Sequence, residues 1–227
     1  MTFELDGRFE WFLEEFGMPQ SSTPVSQDVL EKYRGTLPNR LLEYWQEYGF
    51  CSFKDGLFWI VNPGDYEGAM EEWLAPTGIP NEDNYHVIAR SGFGDLFLWG
   101  EKNGDKYVIQ PRDGEIFKKA KTSIQVSEGL VGQQAISLFF ERFEPRTVDL
   151  EDVDTDKSLF EQAIKKFGPL QEDEVFGFEP ALFAGGEQVF SKLNKLNIHV
   201  HLSILLQLVG IPEVMDIHGL AKKAFGQ

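Results

Sequence analysis

Apolar residues at helical spacing run through the first third of the chain. The first series recurs at intervals of three and four residues and consists of Phe9, Phe12, Leu13 and Phe16. This spacing places the four side chains on one face of a helix, and Gly17 follows where such a helix ends. The pattern therefore predicts an amphipathic helix near the start of the chain.

Three further helices are predicted in the same third. Ser26 is placed to cap the second, because its hydroxyl can accept a hydrogen bond from the helical backbone. Pro38 lies in the first turn of the third helix, and Gly49 supplies its end. Asn62 and Pro63 open the fourth, so each helix has a recognisable start.

From residue 50 to residue 126 the pattern changes to short apolar strands between turn residues. Asp55-Gly56 joins the first two strands as a hairpin. From residue 85 to residue 126 the turns at Gly92–Asp95, Asn103-Gly104 and Pro111–Gly114 recur roughly every ten residues, which is typical of an antiparallel sheet. The strands predicted from this pattern are Cys51–Phe53, Leu57–Val61, Tyr85–Arg90, Leu96–Trp99, Lys106–Gln110, Glu115–Lys118 and Ser123–Val126.

A break in the apolar pattern predicts two units. A helix over 129–143 ends the first, and an acidic linker over 144–156 follows it. The second unit, 157–227, begins with a helix closed by Gly168-Pro169 and contains the apolar run Ile198–Val209. We therefore expect an α+β protein with helices packed on an antiparallel β-meander in 1–143. A smaller, mainly helical α+β unit follows.

The charge of the chain favours a basic partner. Its 37 Asp and Glu against 21 Lys and Arg give a net charge of −16 over 227 residues. Such a field repels phosphate backbones and anionic lipid and attracts basic proteins, although acidity also serves solubility alone. We expect no nucleic-acid partner and no membrane. A lone Cys51 suggests a reducing compartment, and the first six residues, MTFELD, carry acids where a signal peptide needs Lys or Arg, so we expect a cytoplasmic protein.

Three regularly spaced carboxylates raise the question of a calcium site. Asp152, Asp154 and Asp156 have the spacing that begins a calcium loop. Lys157 then stands where the loop needs Gly, and Ala163 where it needs a bidentate Glu. We interpret the segment as a solvated acidic linker that leads into the next helix.

The histidines near the C-terminus raise the question of zinc. His199 and His201 would point the same way on a strand, and Asp216 with His218 offers a second pair. No further ligand at suitable spacing completes the set, so we interpret these histidines as packed residues. We predict no catalytic residue, no cofactor and no metal site, and a protein that is not an enzyme.

Motifs in both halves carry a family resemblance. Gly168–Gly186, which reads GPLQEDEVFGFEPALFAGG, and His199–Leu208, followed by Met215–Ile217, resemble the C-terminal domain of type VI secretion immunity proteins. The segments Phe9–Gly17, Leu37–Gly49 and Trp59–Pro63 resemble the GAD-like domain that commonly precedes it. The Leu37–Gly49 helix is also similar to the broader SMI1/KNR4-like immunity proteins. The motif residues look structural, and the Leu202–Leu208 face is expected to be core.

The resemblance implies an immunity protein that neutralises a co-encoded toxin, which is often a DNase for this arrangement. A nuclease presents Lys and Arg to DNA, so an acidic protein can occupy that surface as a DNA mimic. Solvated charge is the alternative reading for each acid. The expected toxin contacts are Asp149, Glu151, Asp152, Asp154, Asp156, Asp65, Glu67, Glu71 and Glu72.

Two alternatives stay open at this point. A regulatory or scaffold module of SMI1/KNR4-like type would bind a cellular partner without any toxin. A metal-dependent enzyme would use the histidines and Asp216. For an immunity protein, inhibition by blocking the toxin's folding or its partner site is as open as inhibition at its active site. The sequence leaves the toxin's identity and the oligomeric state undetermined.

Overall fold

The computed structural model describes residues 5–119 and 130–216. The predicted strand at Ser123–Val126 and the residue His218 lie outside these ranges. The described helices are α1 (Gly7–Phe16), α2 (Gln27–Tyr33), α3 (Asn39–Tyr48), α4 (Pro63–Leu74), α5 (Leu130–Glu141), α6 (Pro145–Val148), α7 (Leu159–Phe167) and α8 (Ile198–Val209). The described strands are β1 (Ser21–Thr23), β2 (Phe50–Phe53), β3 (Phe58–Ile60), β4 (Tyr85–Ser91), β5 (Leu96–Gly100), β6 (Tyr107–Gln110), β7 (Glu115–Lys118), β8 (Glu174–Phe178), β9 (Leu193–Asn197) and β10 (Glu213–Asp216).

The strands form one large sheet and one hairpin. The large sheet has the order β1-β2-β3-β4-β5-β6-β7-β10, and its neighbours are antiparallel except for the parallel pair β7 and β10. Strands β8 and β9 pair separately as an antiparallel hairpin. The fold class is α+β, with a mostly antiparallel sheet and a partly helical C-terminal part, as the sequence predicts.

Two predicted helix starts, at Ser26 and Asn62, are confirmed by their caps, and Asp6 caps α1 in the same way. Pro38 lies at the N-cap position of α3, just before its first turn, and makes no side-chain cap. The Asp6 carboxylate accepts from the backbone N–H of Phe9 at 3.2 Å, and the Ser26 hydroxyl caps α2 in the predicted manner. The Asn62 side chain accepts from the backbone N–H of Gly64 at 3.2 Å at the start of α4. Each cap satisfies a backbone donor that has no partner inside the helix.

Aromatic rings join α1, α3 and α5 to one face of the sheet. Phe9 stacks on Tyr44 with ring centroids 3.9 Å apart and meets Phe140 edge-on at 4.9 Å. Phe12 then contacts Phe58 of β3 at 5.3 Å. Rings of this size bury the most apolar area per residue, so this layer forms the centre of the core.

The opposite face of the sheet carries a buried arginine. Arg90 of β4 is fully buried, and its guanidinium lies 4.5 Å from the Trp59 ring on the neighbouring strand. Its Nη2 donates to the backbone carbonyl of Glu172 at 2.9 Å, and its Nη1 donates to that of Ser91 at 3.3 Å. These bonds connect the sheet to the segment that precedes β8.

The two predicted units share one hydrophobic core. The backbone N–H of Phe176 donates to Gly92 at 2.9 Å, and Phe160 packs edge-on against Phe93 at 6.0 Å. Buried apolar residues from both units form a single cluster. Strand β10 extends the sheet of the first unit. The boundaries at 143 and 157 stay a prediction.

We expect Arg90→Ala to lower the free energy of unfolding by about 3 kcal/mol. The substitution removes the ring contact and the guanidinium donor of the Glu172 carbonyl, whereas the Ser91 carbonyl keeps the backbone N–H of Gly94 at 3.2 Å. Urea unfolding followed by tryptophan fluorescence measures the change. Arg34→Ala is the control, because Arg34 is exposed, and it should stay within about 0.5 kcal/mol of wild type. An Arg90→Ala loss no larger than the control would contradict this account.

Candidate functional site

Two of the five predicted contact acids in 149–156, Asp149 and Asp152, accept hydrogen bonds from backbone N–H groups. The Asp149 carboxylate accepts from the backbone N–H of Leu150 at 2.7 Å and of Phe160 at 3.1 Å, and burial raises its pKa. Asp152 is only 4% exposed and accepts from the N–H groups of Phe190 at 2.8 Å and Asp154 at 3.0 Å. The Phe190 bond, followed by the Asp154 bond, holds the pKa of Asp152 below its usual range.

The other three acids of this segment face outward. Glu151, Asp154 and Asp156 are exposed, and Asp156 has a left-handed backbone with φ of 56°. Over 5–119 and 130–216, no group of three or more His, Cys, Asp or Glu residues is arranged to hold a metal ion. The turn is therefore organised by the hydrogen bonds of Asp152.

The four predicted contacts on α4 are all exposed, while the apolar residues between them are buried. Asp65 accepts from the Asn62 side chain at 3.0 Å, and Glu67 lies 3.7 Å from the Lys32 ammonium. Within the described part of the chain, no cation lies at ion-pair distance from Glu71 or Glu72. Helix α4 therefore presents negative charge with little internal compensation.

Glu67 and Glu71 line a groove between α4 and β4. Its volume is about 540 Å³, and we call it the α4–β4 groove. In its β4 wall, His86 Nε2 lies 3.1 Å from Glu101 Oε1. The lining residues are Tyr33, Pro63, Glu67, Met70, Glu71, Leu74, Ala75, Pro80, Asp83, Asn84, Tyr85, His86 and Glu101.

Asp65 and Glu72 line a different cavity, between α4 and α8. This cavity has a volume of about 300 Å³ and includes Trp73 and His199. The Trp73 indole N–H donates to a carbonyl of α8 at 3.3 Å, which fixes the two helices side by side. The structure thus divides the α4 acids between two surfaces, and it places the 149–156 acids in neither cavity.

The histidine pair does not have the geometry considered for zinc. His199 and His201 lie on α8, where residues two apart point to different sides, so the expectation of a shared strand face is wrong. The His199 ring lies 5.3 Å from that of Tyr66. His201 packs against Gly177, and burial lowers its pKa. Asp216 lies 3.7 Å from the Lys118 ammonium.

An exposed apolar stripe on α8 is missing from the sequence predictions. Val200, Ile204 and Leu208 are 58%, 49% and 61% exposed, beside a groove of about 310 Å³ against the β8–β9 hairpin. The expected core face is confirmed at Leu202 and Leu205 and wrong at Leu208. Spacing of four residues along a helix was the available signal, because such residues share a face.

Unfolding at two pH values can separate the structural role of Asp152 from the exposed acids of 149–156. Because the folded pKa of Asp152 is depressed, its stabilisation is present above its unfolded pKa of about 4 and is lost as the pH falls further. Asp152→Ala should therefore destabilise the fold at pH 7, and its difference from wild type should shrink at pH 3. Urea unfolding at both pH values measures this.

Asp154→Ala is the matched control for this measurement. The Asp154 side chain is exposed, and only its backbone N–H takes part in the turn. We expect it to unfold like wild type at both pH values. Equal stabilities for Asp152→Ala and Asp154→Ala at pH 7 would refute a structural role for Asp152.

The described helices include none that is both long enough and apolar enough to cross a bilayer. No protein of curated function matches the chain. The crystal structure of Atu4351 from Agrobacterium tumefaciens is similar in fold. It has a TM-score of 0.77 and 18% sequence identity, and 92% of each chain is covered.

Two family descriptions match successive parts of the chain. Residues 7–112 match the family described as "GAD-like domain". Residues 133–209 match the family described as "T6SS immunity protein Tdi1, C-terminal", where T6SS is the type VI secretion system. Together they span the chain from α1 to β6 and from within α5 to the end of α8, which includes the acidic turn (149–156) and the β8–β9 hairpin. The chain therefore carries a GAD-like domain followed by the C-terminal domain of a type VI secretion immunity protein.

Proposed function

We propose that this type VI immunity protein binds a secreted DNase in the cytoplasm of the producing cell and blocks its action on DNA. The observation that carries the proposal is the immunity domain over residues 133–209 on a chain with net charge −16. A catalytic role is not part of the proposal. The toxin is inhibited by occupation of a surface.

Electrostatics support a nuclease as the partner. A DNA-binding surface carries Lys and Arg that neutralise phosphates, and an acidic protein competes for the same groups. Complementary charge also accelerates association, because the protein fields guide the two surfaces together. Speed matters for immunity, since a toxin that enters the cell must be bound before it reaches DNA.

The contact surface in this proposal uses the acids that are free to face a partner. On α4 these are Asp65, Glu67, Glu71 and Glu72, and in the acidic turn they are Glu151, Asp154 and Asp156. Asp149 and Asp152 support this surface from within. Both Asp152 oxygens and Asp149 Oδ1 accept from backbone N–H groups, and Asp149 Oδ2 accepts from the Ser158 hydroxyl.

Co-expression with the toxin encoded by the neighbouring gene tests the proposal. We expect the toxin alone to degrade the chromosome and stop growth, and we expect co-expression of this chain to restore both. Colony counts and DNA staining measure the two effects. Cells that die as readily with the chain as without it would rule out the immunity function. Protection without DNA damage by the toxin alone would rule out the DNase part.

Charge reversal in the acidic turn tests the contact surface. Changing Glu151, Asp154 and Asp156 together to Lys should slow association with the toxin about tenfold at low salt, and less at high salt. Stopped-flow mixing measures the rates. The control reverses Glu10, Glu14 and Glu15, exposed acids of α1, and changes the net charge equally. Equal slowing by both variants would mean that this turn makes no local contribution.

A further inference from the structure

The α4–β4 groove combines an apolar floor with an acidic rim. One wall is the face of α4 that carries Met70 and Leu74, which are buried, and Ala75 continues this wall at the helix end. The rings of Tyr33 and Tyr85 line the groove as well. At about 540 Å³, the groove is large enough for one long side chain and a neighbouring apolar residue.

Four residues that line this groove are acidic, namely Glu67, Glu71, Asp83 and Glu101, and a fifth is His86. Asp83 is committed to the backbone, because its Oδ2 accepts from the N–H groups of Lys102 at 2.8 Å and Asn103 at 2.7 Å. Glu101 lies 3.1 Å from His86. Glu67 and Glu71 remain on the open rim. No Lys or Arg belongs to the groove lining.

The spacing of Glu67 and Glu71 suits a single cation. Residues four apart on a helix are neighbours, with Cβ atoms roughly 6 Å apart, so their carboxylates can reach one group between them. Lys32, 3.7 Å from Glu67, is the cation described beside them, and both side chains are more than half exposed. An exposed pair of this kind contributes little and can be displaced.

We propose that the α4–β4 groove receives a lysine or arginine side chain of the toxin, with an adjacent apolar toxin residue over Met70 and Leu74. This inference rests on the proposed function. The two glutamates bind the cation, which displaces Lys32 from its place beside Glu67 and over the Tyr33 ring. The apolar floor excludes water around the contact, which strengthens the charge interaction.

The groove differs from the α8 stripe in what it selects. The stripe of Val200, Ile204 and Leu208 is apolar and recognises no charge. The groove requires a cation and an apolar neighbour together. A basic nuclease surface supplies this combination wherever an aliphatic or aromatic residue lies next to a DNA-contacting Lys or Arg.

Binding of the purified, catalytically inactivated toxin from the neighbouring gene tests the groove. We expect Glu67→Lys with Glu71→Lys to weaken the Kd about a hundredfold, through repulsion of the bound cation. The control, Glu14→Lys with Glu15→Lys on α1, changes net charge by the same amount and should stay within about threefold of wild type. Biolayer interferometry supplies both rate constants.

A charge-neutral variant tests the apolar part separately. Ala75 is exposed and lines the groove, so Ala75→Trp fills the space without altering the rim acids. We expect it to weaken the Kd about tenfold, with most of the change in the dissociation rate. Thermal unfolding checks that the variants fold. If the double glutamate variant does not fold, Ala75→Trp still decides the question.

The outcomes separate the groove from the immunity function. If wild type binds and protects while the groove variants behave like the α1 control, the groove proposal is wrong and the immunity function stands. If the α1 control loses affinity as much as the groove variant, only net charge matters and the groove proposal is again wrong. If wild type neither binds nor protects, both proposals fall.

Discussion

The buried charge of Arg90 is the constraint that connects the two halves of this molecule. A guanidinium out of water needs acceptors and a packed ring, because each lost hydrogen bond is costly there. Trp59 supplies the ring and Glu172 a backbone acceptor, which holds the segment before β8 against β4. The position of β8 then sets that of β9 through their pairing, and α8 begins directly after β9.

The exposed acids of α4 follow from what the helix must bury. Tyr66, Met70 and Trp73 face the interior, and Trp73 also bonds to a carbonyl of α8. Helical periodicity leaves the charged positions between them on the two outer flanks, where they line separate cavities. Four of the acids of the chain are therefore presented on a helix that the core holds in place. A partner finds these carboxylates already in place, which reduces the entropy cost of binding.

Local sequence signals predict those elements whose ends are set by neighbouring residues. Elements that form only through long-range contacts could not be predicted in this way. Gly49, Asn62 and Asp55-Gly56 act on their own neighbours, so the helix ends and the hairpin were predictable. Strand β10 has four residues of mixed polarity, and only its pairing with β7, about a hundred residues earlier, makes it a strand. The burial of Asp152 likewise depends on the distant Phe190 N–H. The composition therefore shows how many acids the chain has. It could not distinguish the acids that hydrogen-bond to the backbone from those that are exposed.

The central claim is that the outward acids of this chain, and those of α4 above all, contact a basic toxin surface. The structure of the complex between the chain and its toxin tests the claim most directly. The account predicts a toxin Lys or Arg nitrogen within about 4 Å of the Glu67 or Glu71 carboxylate, with α4 inside the interface. A complex in which the toxin binds elsewhere and leaves both carboxylates in solvent would contradict it.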